Sequence, residues 1–168
     1  MWSRNVDTSS SALGRRMAMA GVAIAVTFST LECVQASPAL PEIRVKSGNA
    51  VPTCVTPERL MQFLEQRNPK MHDRYRSIAA LYRQHGEANG VRWDYAFFQM
   101  ALETAYLKYG GDDRPKQNNF AGLGTTGGGV RGNSFPDVST GVLAQIQHLV
   151  AYSGEPVDGA VAPRTREN

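Results

Sequence analysis

Apolar positions along the chain fall into four blocks with helical spacing, separated by polar, Pro-rich or Gly-rich stretches. Thr56-Pro57-Glu58 opens the first with an N-cap residue and a proline in the first turn. Leu60, Phe63 and Leu64 then share one face, and Asn68-Pro69 ends the block. The spacing of Tyr75, Ile78, Ala79 and Tyr82 predicts a second helix from about Asp73 to Ala88, closed by Asn89-Gly90. The stretch from Trp93 to Tyr109 reads as one helix, with Asp94 as N-cap and Gly110-Gly111 as the stop. Following so directly, it should form an angled pair with the second. Ser139 or Thr140 caps a fourth helix whose stripe is Val142, Ile146, Leu149 and Val150.

The third block differs from the others. Tyr95, Phe97, Phe98, Met100, Ala101, Leu102, Ala105, Tyr106 and Leu107 cover every face, and a helix apolar all round belongs in a core. Glu103 nevertheless stands in its C-terminal half, with Gln99 one turn behind on the same side. A buried, unpaired acid tends to keep its proton near neutral pH, which is what a general acid requires. Glu103 is therefore the first candidate for chemistry. The competing reading is a rim residue or a structural ion pair with Arg92, Lys108 or Arg114, since such pairs also perturb acids.

Length and charge narrow the picture. The chain has 168 residues, enough for one domain. Arg15-Arg16, the apolar run Met17 to Phe28 and Val34-Gln35-Ala36 predict a signal peptide over 1–36, cleaved after Ala36. The run is too short for a comfortable span, so no permanent membrane anchor is expected. Residues 37–55 read as a Pro-rich linker, 56–154 as the domain, and 155–168 as a polar, Pro-interrupted tail. With 18 basic and 15 acidic residues in all, the charge is too mild for a nucleic-acid partner. The leader carries Cys33, which leaves Cys54 alone and no intrachain disulfide.

Several chemistries lack their context. Gly122-Leu-Gly124-Thr-Thr-Gly127 matches a dinucleotide fingerprint, but no strand precedes it and no helix starts within it. His72, His85 and His148 have no metal-ligand spacing, and no nucleophile elbow occurs, so neither a metal nor an organic cofactor is expected. Asp112 and Asp113 on the loop past the third helix, and Asp137 before the fourth, are the remaining acids of interest. Aspartates favour turns for local hydrogen bonding, whereas most glycosidases use two carboxylates around the scissile bond.

In order, Ala101-Leu-Glu-Thr104, Gln117-Asn-Asn-Phe-Ala-Gly-Leu123, Ser134-Phe-Pro-Asp-Val-Ser-Thr-Gly141 and Gln147-His-Leu149 resemble the bacterial glucosaminidase family, glycoside hydrolase family 73. The resemblance covers roughly Thr56 to Gly154. It implies a mostly α, lysozyme-like α+β fold with a glycan-binding groove between two lobes. The implied activity is cleavage of peptidoglycan β-1,4 bonds after N-acetylglucosamine by a periplasmic or secreted monomer. Glu103 would be the general acid. A loop carboxylate, Asp112 or Asp113, or the substrate's own acetamido group would activate water. Asn118 and Asn119 would shape the groove floor and Phe120 would pack beneath, with Gln99, Tyr106 and Asp137 also facing substrate. No acid between Gly110 and Thr140 matches the family's second carboxylate. The family pattern continues into a further helix with a groove-lining tyrosine, so residues 155–168 are expected to begin a truncated C-terminal part. The alternatives are a lytic transglycosylase and a non-catalytic envelope-binding or scaffold protein.

Overall fold

The computed structural model describes residues 42–112 and 114–166; the expected signal segment and Asp113 lie outside them. The Thr56 side chain accepts from the Arg59 amide and Pro57 takes the first turn, which starts α1 (Pro57–Arg67) where the sequence placed it. Asn68 ends α1, its N–H donating to the Leu64 carbonyl at 2.8 Å. The second helical stretch splits into a 3-10 turn, Asp73–Tyr75, and α2 (Ile78–Ala88). Helix α3 runs from Trp93 to Glu103, α4 from Val138 to Tyr152, and a short α5 from Pro163 to Arg166.

Among the described residues the chain is mostly helical. Its β structure is limited to two isolated antiparallel bridges, Arg44 with Val91 and Gly127 with Val130. Helix α2 packs against α1, α3 and α4. Leu64, Ile78, Tyr82, Phe97, Met100 and Ile146 are fully buried in the main core. A smaller core joins Leu123, Phe135, Ala144 and Ala162. Helix α4 serves both, because Val142, Ile146 and Val150 repeat every four residues while Ala144 points to the opposite side.

Four expectations change. Asp94 does not cap α3; it is buried and bidentately paired with Arg92 at 2.8 and 2.6 Å, since an acid this deep needs a partner. Asp137, not Ser139 or Thr140, caps α4, accepting from the Thr140 amide at 2.7 Å. Residues 42–55 are aperiodic yet packed: Ile43, Val51 and Val55 lie against the core. The Val45 N–H donates to Gly90 O and the Arg92 N–H to Ile43 O, at 2.9 and 2.8 Å. The described tail is docked too, with Ala160, Ala162 and Thr165 buried and the Val161 N–H donating to Gln147 Oε1. Arg44 joins the two ends, pairing with Glu155 at 2.8 Å and donating to the Asn89 carbonyl. Cys54 is free and exposed.

Candidate functional site

Helix α3 stops at Glu103, six residues before the expected end at Tyr109. The chain instead makes a left-handed turn: Ala105, Tyr106 and Leu107 have φ of 49°, 59° and 61°, and Tyr109 has 56°. For residues with a Cβ, each such position costs roughly 1–2 kcal/mol. The surroundings hold the turn in place. Thr104 Oγ1 donates to Met100 O at 2.8 Å and accepts from the Leu107 amide at 2.9 Å. The Tyr106 N–H donates to Ala101 O at 2.6 Å and the Tyr109 N–H to Thr104 O at 2.8 Å. From α1, Asn68 Nδ2 donates to Tyr106 O at 2.9 Å, and Leu107 is buried in the core. Such strain tends to gather at working sites.

Glu103 is exposed at the start of this turn. Burial therefore does not single it out, contrary to the expectation of an all-round buried helix. Tyr95, Phe98 and Leu102 are exposed as well, Leu102 by 74%. Position singles it out instead. Gln99, one turn earlier, lines a cavity of about 410 Å³ with residues 121–126 and Tyr152. Leu107 and Lys108, just after it, line a second cavity of about 950 Å³. Glu103 thus lies on the chain segment that leads from one cavity to the other.

A second segment makes the same passage. Gly122–Thr126 belong to the smaller cavity and Arg131 to the larger. Between them Gly127, Gly128 and Gly129 form a tight turn with φ of 78°, 65° and 85°, closed by the Val130 amide on Gly127 O. The half-buried Asp112 accepts from the Gly129 amide at 3.2 Å, which ties the loop after α3 to the tip of this turn. Glu103 and Asp112 therefore stand on elements that run between the two cavities. Asp113 lies outside the described residues.

Gln145 was missed in the sequence, although a lone amide inside the apolar α4 pattern was the available signal. It is fully buried, accepts from the Tyr82 hydroxyl, and donates to Ala96 O at 3.1 Å and to Gln99 Oε1 at 3.0 Å. These bonds fix Gln99 toward the smaller cavity. Burial raises the Tyr82 hydroxyl well above its ordinary pKa, so it stays a donor. His148 also lines that cavity and contacts Thr165 Oγ1 at 3.1 Å; burial, then Arg164, lowers its pKa.

The remaining candidates have structural partners. Asn118 and Asn119 are buried, so their side chains present little surface of their own. Asn118 takes a left-handed φ of 51° and donates to Phe135 O at 2.9 Å; Asn119 folds the loop through Leu123 N and O, both at 2.9 Å. Phe120 packs in the main core, edge-on to Tyr75. Gly141 lets α4 approach: a Cβ there would stand 1.9 Å from Asn118 O. Tyr106 is half-buried, edge-on to Phe63. Asp137 is spent on the α4 cap, whose amide bond lowers its pKa. Among the described residues no cluster of His, Cys, Asp or Glu could hold a metal ion, and no helix is long and apolar enough to cross a membrane.

No family model matches the chain, and no solved structure matches it. An uncharacterised protein of Borreliella burgdorferi is 36% identical over 99 residues, covering 58% of this chain and 48% of that protein. The chain spans about half the length of this relative.

Proposed function

We propose that the chain is an exported peptidoglycan hydrolase of the glucosaminidase type, with a lysozyme-like helical domain and Glu103 as general acid. One observation carries this reading: Glu103 is exposed at the end of α3, directly before a strained turn and between residues that line two cavities. Glu103 itself lines neither cavity; a glycan strand laid along the end of α3 would meet this carboxyl group. Glu103 would protonate the glycosidic oxygen between N-acetylglucosamine and the next sugar. Asp112, held by the Gly129 amide, or the substrate's acetamido group would assist water attack. Gln99, held by Gln145, would bind a sugar hydroxyl or amide.

The test is digestion of purified sacculi by the full chain. The expected products carry reducing-end N-acetylglucosamine and disappear with Glu103→Gln. Anhydro sugar ends would instead mark a lytic transglycosylase. A folded protein that releases nothing would mark a non-catalytic envelope binder.

A further inference from the structure

Six of the chain's eighteen Lys and Arg residues line the 950 Å³ cavity: Lys70, Arg74, Lys108, Arg114, Lys116 and Arg131. Among the described residues no Asp or Glu lines it. Five of the six are exposed, and Arg74 is held by Tyr75 and the Pro115 carbonyl. Among the described residues Lys70, Lys108, Lys116 and Arg131 make no ion pair. A concave site lined by one sign of charge concentrates the opposite charge. The walls between these cations are apolar, made by Pro69, Tyr75, Leu107 and Pro115.

We propose that this cavity binds the acidic peptide stem that hangs from the glycan strand in peptidoglycan. The choice of ligand rests on the hydrolase reading above, which places the strand beside Lys108. The chemistry of the lining supports it independently. A stem peptide offers carboxylates to the guanidinium and ammonium groups, and alanine methyls to the proline, tyrosine and leucine walls. A polyol phosphate polymer would satisfy the cations but leave the apolar walls wet. Guanidinium groups bind carboxylates in bidentate pairs, so Arg114 and Arg131 are the expected main anchors, with the lysines as point charges. The cavity would then select stem-bearing strands over bare ones.

The test titrates the full chain with synthetic L-Ala-γ-D-Glu-meso-diaminopimelate-D-Ala and with the same peptide amidated at its carboxyl groups. The free-acid peptide is expected to bind at least about tenfold more tightly, with an advantage that shrinks in salt. Lys116→Glu combined with Arg131→Glu, both on exposed side chains, should remove that advantage at an unchanged melting temperature. Equal binding of the two peptides to the parent chain would overturn the proposal, whatever the variant does. Displacement of the peptide by equimolar inorganic phosphate would overturn it as well, by showing a general anion site. Sacculus digestion run in parallel separates the two readings. Digestion without stem binding sinks only this inference, whereas stem binding without digestion sinks only the hydrolase.

Discussion

The Asn68 side-chain amide donates to the Tyr106 carbonyl at 2.9 Å, so the cap of α1 holds the turn that follows Glu103. The two residues are 38 positions apart. Asn68→Ala leaves the Tyr106 carbonyl without this donor and should cost about 1–3 kcal/mol. Denaturant titration measures that loss. The lytic activity proposed above should fall further than unfolding explains, at temperatures where the variant is fully folded. Unchanged activity there would show that the turn does not set the position of Glu103.

Glu103→Gln tests the proposed general acid. Gln has the shape of Glu and no proton to give, so activity on sacculi should fall about 100- to 10,000-fold. The helical circular dichroism should stay the same, because Glu103 is exposed. A variant within threefold of the parent would remove Glu103 from the mechanism.

Ala105→Gly should stabilise the protein, against the usual trend. Ala105 is exposed with φ at 49°, so no packing is lost on truncation. Relief of a left-handed alanine is worth roughly 1–2 kcal/mol, against about 0.5–1 kcal/mol of extra backbone entropy for glycine. The net expectation is a small rise in melting temperature. A fall would mean that the turn is less strained than its φ values imply.

Gly141→Ala should do the reverse. The new methyl group would stand 1.9 Å from Asn118 O and 2.9 Å from Phe120 Cε2, inside a helix with no room to shift alone. A loss of about 3 kcal/mol or more is expected in a denaturant titration, since overpacking here displaces backbone. A variant as stable as the parent would show that α4 can move away from the Asn118-Asn119 loop at little cost.

Acid should weaken the fold through His148. Burial, and then the Arg164 charge, holds its imidazole below the ordinary value of 6.5. The unfolded chain therefore takes up this proton first. This contribution to stability is complete above 6.5 and is lost as pH falls from there through the lower folded value. His148→Gln should flatten that part of the profile, as read from urea midpoints above and below the window. Identical slopes in parent and variant would contradict it.

The helices were legible because their local signals agree. Thr56-Pro57 and Asn89-Gly90 mark ends chemically, and the stripes of α1 and α2 repeat at helical spacing. The end of α3 was not legible. Ala105, Tyr106 and Leu107 look like helix residues, and the partners that bend them, Asn68 above all, are distant in sequence. Packing of 42–55 and of the tail was hidden for another reason. Single residues such as Ile43 and Ala162 reach the cores without any period. The exposure of Glu103 was not legible either, because the apolar pattern around it suggested burial while Phe98 and Leu102 face outward. The six-cation cavity was invisible for a similar reason: its charges are scattered between positions 70 and 131 and meet only in the fold.

Arg44 gives the molecule a single seam where two loose ends were expected. Its backbone bridges to Val91, and its guanidinium spans from the Asn89 carbonyl to the Glu155 carboxylate. An exposed ion pair contributes little energy alone, about 0–1 kcal/mol. What it adds is shared fate. The strand-like segment before α1 and the chain leaving α4 share one residue, so lifting either breaks a contact to the same arginine. Amides at Val45 and Arg92 should therefore exchange hydrogen with the domain as a whole rather than as a fraying edge.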